Sequence, residues 1–431
     1  MKGKVLVLSE VRGDTRRYRA LHLVEQLGLL GASCEFIHMA DPALYDKAFQ
    51  SWNVVVFHRV AYGDHVRRLL DYFQAHHTLV FSDFDDLIFD VDAFQFINSP
   101  DFVDPIRVEM YVQNMRNIRA MLENSEGVLA STNFLSDRIS ALGKPVWVHR
   151  NAFGLEMLAC SEAARARKLS NAGKVVIGYA SGTPTHNRDF ELVKPALQAV
   201  MRRDPRVVLR LVGPLNPGAG WEGLESRIEH MKLVPWRKLP QILAGFDINL
   251  APLVMDNPFA QSKSEIKYME AAMVETPTIA SATDAFRFAI HDGETGLLVE
   301  TPEAWESAIE RLAQDASLRD EMGQRAYQAV IKEYHPVTRA TQLVQTLDEM
   351  SQQLRGQSFW QEDRPDAGAI AERARSTSRG KGWQPRRYEK DPSNLELGLY
   401  SLRHKGLKTL ARQVWIYFRR LVAPIFPFKQ G

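Results

Sequence analysis

The stretch PFAQSKSEIKYMEAAMVETPTIAS, residues 258–281, decides how the rest of the chain is read. It follows the apolar run Ile248-Asn249-Leu250-Ala251-Pro252-Leu253 and the turn-forming Asp256-Asn257-Pro258. The pattern predicts a helix opening near Ser262 and broken at Thr276-Pro277, then a short buried strand at Thr278–Ser281. On that helix Lys263, Lys267 and Glu270, spaced by four and three, fall on one face. Two cations in the first turns of a helix suit an anion, because the free N–H groups and the positive end of the dipole add to their pull. A carboxylate one turn deeper can accept from sugar hydroxyls. Phosphate beside sugar hydroxyls describes a nucleotide-sugar; a solvated Lys/Glu face on a surface helix is the competing reading.

Upstream, strands and helices alternate. Val5–Leu8, Ser33–Met39, Val54–Phe57, Thr78–Phe81, Gly127–Ser131 and Val146–His149 read as strands, with helices expected near Thr15–Leu30, Asp64–Gln74, Ile106–Asn124 and Phe134–Leu142. The pattern restarts after Ser170-Asn171-Ala172-Gly173 with Val175–Tyr179, Val207–Val212, Ile248–Leu250, Thr278–Ala280 and Leu297–Val299. Two α/β units with parallel sheets follow, and ligands belong at the carboxyl ends of their strands. The loop after Val175–Tyr179 holds Gly182 and Thr183, where the backbone can approach a phosphate with no Cβ in the way. Thr185, His186 and Arg188 come next, the last two in the first helical turn expected there.

This pattern resembles the group 1 glycosyltransferases, glycosyltransferase family 4. Glu270-Ala271-Ala272-Met273 followed by Thr276-Pro277-Thr278-Ile279-Ala280-Ser281 matches that family's second donor-site Glu and the strand after it; Ser262 stands at the position of the first Glu. The Lys-Ser before the helix and Lys-Tyr-x-Glu inside it are similar to a subset of bacterial surface-polysaccharide transferases. The resemblance implies the GT-B fold: two Rossmann-like doubly wound parallel-sheet domains facing across a cleft. It implies a nucleoside-diphosphate sugar donor, transfer with retention, and no metal or cofactor. Its donor wall would comprise Gly182, Thr183, Thr185, His186, Ser262, Ser264 and Glu270, with Arg188, Lys263, Lys267 and Asp86 nearest the chemistry and Glu270 on the ribose. The opposite, acceptor wall would hold Arg12, Gly13, Arg19, His58 and Arg59. An Asp-x-Asp at Asp83-Phe84-Asp85-Asp86 could also hold a divalent metal, as in GT-A transferases; the two restarting halves favour GT-B. A catalytically degraded sugar-nucleotide-binding or scaffold protein is the alternative in a different class.

The expected organisation is an acceptor domain at 1–152, a linker at 153–173, a donor domain at 174–337, a helix crossing back at 338–356, a basic linker at 357–398 and a basic amphipathic helix at 399–431. The chain of 431 residues carries a formal net charge of +2. Residues 355–431 hold 16 Lys and Arg against 7 Asp and Glu, a net of +9, which leaves −7 for the remainder. That contrast makes the tail a separate functional question. In Arg403–Val422, Leu407, Leu410, Val414, Phe418 and Leu421 share a face opposite Lys405, Lys408, Arg412, Arg419 and Arg420, the pattern of an anchor on an anionic inner-membrane surface; a helix that packs on the protein or on a partner is the competing reading. A glycan or polyprenol-linked acceptor fits that location. Two cysteines make no disulfide framework, the N-terminus carries no leader pattern, and no apolar run reaches spanning length. The expectation is a cytoplasmic protein peripheral to the inner face of the membrane. No nucleic-acid-binding module is recognisable, so nucleic acid is not an expected partner.

Overall fold

The computed structural model describes residues 3–97, 99–168, 170–183, 187–359, 365–378 and 391–422; the side chains of residues 100, 101 and 416–422 are not described. Six strands form the first sheet: β1 (Lys4–Ser9), β2 (Ser33–His38), β3 (Val54–His58), β4 (Leu79–Phe84), β5 (Gly127–Ala130) and β6 (Val146–Val148). Their order is β2-β1-β3-β4-β5-β6, every pair parallel. Runs such as Val54-Val55-Val56-Phe57 are buried on both faces, as helix-covered parallel strands must be. The second sheet holds β7 (Val175–Ala180), β8 (Val207–Val212), β9 (Ile228–Met231), β10 (Ile248–Ala251), β11 (Thr278–Ser281) and β12 (Leu297–Val299). Its order, β12-β11-β10-β7-β8-β9, is again wholly parallel. The strand order reverses beside β7, so the crevice between the ends of β7 and β10 is where such a sheet binds ligands. The two expected units are therefore present. The strand absent from the expectation is β9, whose Ile228-Glu229-His230-Met231 sits at a sheet edge and lacks an apolar run.

The chain passes between lobes at residues 149–154 and returns at Tyr334–Pro336, and the two passages touch: the Phe153 N–H donates to the Tyr334 carbonyl at 3.3 Å. Phe153 and Met157 join Tyr18 in an apolar cluster with Tyr268, Met269 and Tyr334 of the second lobe. The helix Pro336–Arg355 then lies on the first lobe, its Ala340, Leu343, Leu347 and Met350 packed with Val5, Val24 and Leu27.

Within 357–398, expected as a basic, poorly ordered linker, the described residues 365–378 depart from that reading. A helix runs from Ala367 to Ser378, and Ile370 and Ala374 are buried in the same apolar cluster as Leu27 and Leu347. Arg373 donates to the Leu29 carbonyl at 3.1 Å. One apolar side chain per turn was enough to dock this helix, because the surface it covers is apolar and the polar remainder stays in solvent. A second segment opens with a capping box at Ser393 and Glu396. It is pinned by the buried Tyr400, whose hydroxyl lies 2.7 Å from His65 Nε2. Its final helix is Gly406–Val422.

Ile370→Ala should cost about 2–4 kcal/mol of the docking stability of this helix. Tryptic cleavage at Arg373 and Arg375 should accelerate accordingly; unchanged cleavage would show that the helix is not held by Ile370.

Candidate active site

A cavity of about 280 Å³ lies between the lobes at the carboxyl ends of β4 and β7. The first lobe contributes Asp14, Tyr18, Asp85 and Asp86; the second contributes Ser181, Gly182, Lys263, Ser264, Lys267 and Glu270. Leu233, Val234, Trp236, Leu253, Ile266 and Phe286 form an apolar flank.

The expected helix at Ser262 is two pieces. Pro258–Gln261 forms one turn capped by the Asn257 side chain, and Ile266–Ala272 is a separate helix of seven residues. Lys263 and Ser264 lie in the break between them. The face argument for Lys263 on a single helix thus gives way to a kink, yet Lys263, Lys267 and Glu270 all line the cavity. The second piece is held from below: the buried Asn249 side chain donates to the Lys267 carbonyl at 3.3 Å and to Thr278 Oγ1 at 3.1 Å. On the other side, Gly213 ends β8 with φ of +95°. A Cβ there would lie 1.9 Å from the Ser181 carbonyl oxygen, so glycine is what lets β8 finish beside the Gly182 loop. Ser181 Oγ donates to the Thr183 carbonyl at 2.7 Å and draws the loop tight.

Charges in the cavity are tied across it. Lys263 Nζ sits 2.6 Å from Asp86 Oδ1, while Arg59 grips Asp86 Oδ2 and, at 2.6 Å, Asp85. Burial alone would raise the Asp86 carboxyl, but Lys263 and Arg59 pull it down to about 2. Asp86 is thus a fixed anion and a poor base. Lys267 donates to the Ala180 carbonyl and lies 4.9 Å over the Tyr179 ring. Burial lowers it to about 8, against the opposing pull of Glu270 and Asp189. Glu270 is raised by burial despite the Tyr18 hydroxyl, which donates to it at 2.6 Å across the cleft. Tyr18 occupies a turn of π-helix, Arg17–Leu21, that interrupts the first helix; such turns often mark functional positions.

Several expected site residues lie elsewhere. Arg19 is almost wholly buried and forms a two-pronged ion pair with Asp83 at 2.6 and 3.0 Å, with further bonds to the His149 carbonyl and Asn151 Oδ1. It braces the first lobe and cannot meet an acceptor. His58 is fully buried, 3.0 Å from Ser9 Oγ, and burial drives it down to about 3. Arg59 acts through the two aspartates rather than by lining the cavity. Ser262 turns its hydroxyl to the Phe259 carbonyl at 2.8 Å and accepts from the Leu87 N–H at 3.3 Å; it stitches the lobes rather than holding a donor. Arg12 is exposed and bonds to the Pro392 carbonyl at 3.2 Å, and Gly13, with φ of +76°, opens the first helix beside the cavity residue Asp14. Arg188 is exposed at the start of its helix and is not among the residues lining the cavity. Thr183 is exposed next to Gly182. Thr185 and His186 lie outside the described residues. Among the described residues, no group of three or more His, Cys, Asp or Glu side chains could hold a metal ion.

Sequence reasoning missed Tyr18, Asp14 and the apolar flank around Trp236; Asn151, read from sequence as a structural turn residue before the linker, donates to Ser264 Oγ at 2.8 Å. Tyr18 sits inside a basic run that drew attention to its arginines instead.

Comparison with known proteins bears on the fold and on part of the sequence. Residues 188–345 match a family model described as "Glycosyl transferase-like". D-inositol 3-phosphate glycosyltransferase of Corynebacterium glutamicum is 32% identical over 145 residues, which is 30% of this chain and 33% of that protein. The enzyme of that name from Corynebacterium efficiens is 29% identical over the same length, so the chain spans about a third of the curated relatives it matches. Among solved structures, sucrose-phosphate synthase from Thermosynechococcus elongatus superposes with a TM-score of 0.59 at 16% identity, covering 81% of this chain and 99% of that one. Anabaena HepE in complex with UDP and glucose gives 0.52 at 15% identity, with 80% and 100% covered. The fold is GT-B, and its second lobe, over residues 188–345, resembles glycosyltransferases in sequence.

Arg19→Ala should lower stability by about 3–5 kcal/mol, because it strands Asp83 buried without its cation. Urea unfolding measures this, and a near-neutral result would contradict the bracing role.

Proposed function

We propose that this chain transfers a sugar from a nucleoside-diphosphate sugar to a glycan or lipid-linked acceptor, with retention, in cell-surface polysaccharide synthesis. One observation carries the reading: the Gly182 loop, Lys263, Lys267 and Glu270 of one lobe converge with Asp86 of the other on a single cavity. HepE, whose fold the chain shares, was solved with UDP and glucose, and a nucleoside-diphosphate sugar is the ligand class proposed here. The diphosphate would lie against the Gly182 loop, Lys263 and Lys267, and the apolar flank at Trp236 and Phe286 would take the base. Glu270 would exchange its Tyr18 hydrogen bond for a ribose hydroxyl. The cavity is below the roughly 300–1,000 Å³ of sites for drug-sized ligands, so donor entry widens it and breaks the Lys263–Asp86 pair.

In the reaction the acceptor hydroxyl oxygen bonds to the anomeric carbon as the bond from that carbon to the diphosphate oxygen breaks. The electron pair goes to the diphosphate and the hydroxyl proton passes to it. Charge builds on the leaving group, where fixed cations lower the barrier most. Asp86, too acidic to take the proton, would orient the acceptor hydroxyl. Expulsion of water by the closed lobes limits donor hydrolysis. None of these steps uses a metal.

The second reading, a sugar-nucleotide-binding scaffold, draws on Ser262, which stands where the family's first Glu would be and faces away from the cavity. Donor hydrolysis by the purified protein separates the two, since a scaffold shows none above background.

The tail would seat the protein on the inner face of the membrane. Leu407 and Val414 of the last helix are 70% and 58% exposed, and Leu399 and Leu402 precede them on the same segment. Among the described residues, no helix is long and apolar enough to cross a membrane. Exposed leucines flanked by Lys408 and Arg403 suit an anionic surface. Leu407→Glu with Val414→Glu should abolish co-sedimentation with phosphatidylglycerol vesicles; retained sedimentation would refute this placement.

Nucleoside diphosphates should raise the melting temperature, because they bind only the folded state. Lys263→Ala and Lys267→Ala should each weaken that shift, whereas Lys332→Ala should leave it unchanged; undiminished shifts in both site variants would defeat the assignment. A bound diphosphate restores the Lys267 ammonium, which burial holds at about 8. Titration calorimetry near pH 8.5, in buffers of different ionisation enthalpy, should show proton uptake that disappears near pH 6.5, where lysine is already charged. Lys267→Met should show none at either pH.

A further inference from the structure

A second cavity, of about 560 Å³, adjoins the first lobe. The helix Pro105–Glu123 supplies Arg107 and Tyr111 to one wall, and the C-terminal segment covers it with His404, Lys405 and Arg412. We propose that this cavity receives the phosphorylated head of a lipid-linked acceptor and is the acceptor's entrance to the interlobe site.

Charge is the first argument. Arg107, Lys405 and Arg412 line the cavity against one carboxylate, Glu109. Arg412 lies 3.2 Å from Glu109, whose side chain is 64% exposed, and Lys405 pairs with Glu10. Water weakens the Arg412 pair, so a phosphate, offering several acceptor oxygens, is the stronger partner for the guanidinium. The two histidines feel the same field: burial lowers His65 to about 4, and His404, Lys405 and Arg68 lower it further.

Position is the second. Tyr111 lines this cavity, and burial raises its hydroxyl to about 12 with a further push from the negative charge of Asp86. Asp86 lines the interlobe cavity, so Tyr111 stands within electrostatic reach of the carboxylate assigned to the acceptor hydroxyl.

The third is the helix itself. Thr409, Arg412 and Gln413 of the last helix face the cavity, while Leu407 and Val414 lie on the opposite, exposed side, as spacing on a helix requires. An anion alone would use only the first face. A molecule with a phosphorylated head and an apolar chain matches both.

The proposal rests on the transferase reading, and its test keeps the two apart. Full-length protein saturated with UDP is titrated calorimetrically with farnesyl diphosphate and, separately, with inorganic pyrophosphate. Farnesyl diphosphate should bind about tenfold or more tightly than pyrophosphate, in proportion to the apolar surface it buries. Arg107→Gln with Arg412→Gln should weaken it by about tenfold or more, as loss of charge-assisted bonds implies, and leave the UDP melting shift intact. Thr409→Trp, which fills the cavity without altering a charge, should cause the same loss and serves if the double variant misfolds. Equal affinity for the two probes overturns a lipid-linked ligand. Wild-type affinity in Thr409→Trp overturns the site. A missing UDP shift in the wild type with farnesyl diphosphate binding retained condemns the donor reading alone.

Discussion

The contact between Lys263 and Asp86 governs the rest of the cleft. It places a cation of the second lobe against an anion of the first at 2.6 Å, so neither lobe presents its charge freely. Arg59 holds the same carboxylate from behind and Asp85 beside it. The first lobe therefore offers a cation-backed acidic rim, and the second two lysines of different character. Lys263 is engaged by Asp86, whereas Lys267 is buried on the Ala180 carbonyl and gives up its proton more readily than lysine in water. On the proposed reading, a diphosphate entering here would replace protein partners one for one, which would limit its affinity and favour its release after transfer.

The architecture was legible because parallel strands buried on both faces leave nearly continuous apolar runs. Val54–Phe57 and Val207–Val212 are examples, and their alternation with helices restarts once. The edge strand Ile228–Met231 was invisible for the converse reason: with one neighbour and partial exposure it needs no such run. The helix Ala367–Ser378 escaped because its docking depends on Ile370 meeting a ready-made apolar surface, a fact of the surface rather than of the segment.

The site was legible in part. Lys263, Lys267, Glu270 and Gly182 converge although the helix expected to align them is broken at Lys263, since proximity in the chain did what the helical face was expected to do. The arginines misled. Arg17 and Arg19 flank Tyr18 and look alike in sequence, but the π-helical turn sets Tyr18 toward Glu270 and Arg19 inward to Asp83. Burial decides a role that spacing cannot, and a cation matched by a buried carboxylate sixty-four positions away leaves no local trace.

The two passages of chain between the lobes are fastened to each other at Phe153 and Tyr334. A body joined to another by one flexible strand can swing, twist and slide; joined by two strands tied side by side, it keeps essentially one easy motion, like a book turning on its spine. Each opening of the cleft should therefore retrace the same arc, returning Lys263 to Asp86 and Tyr18 to Glu270 in register after every turnover.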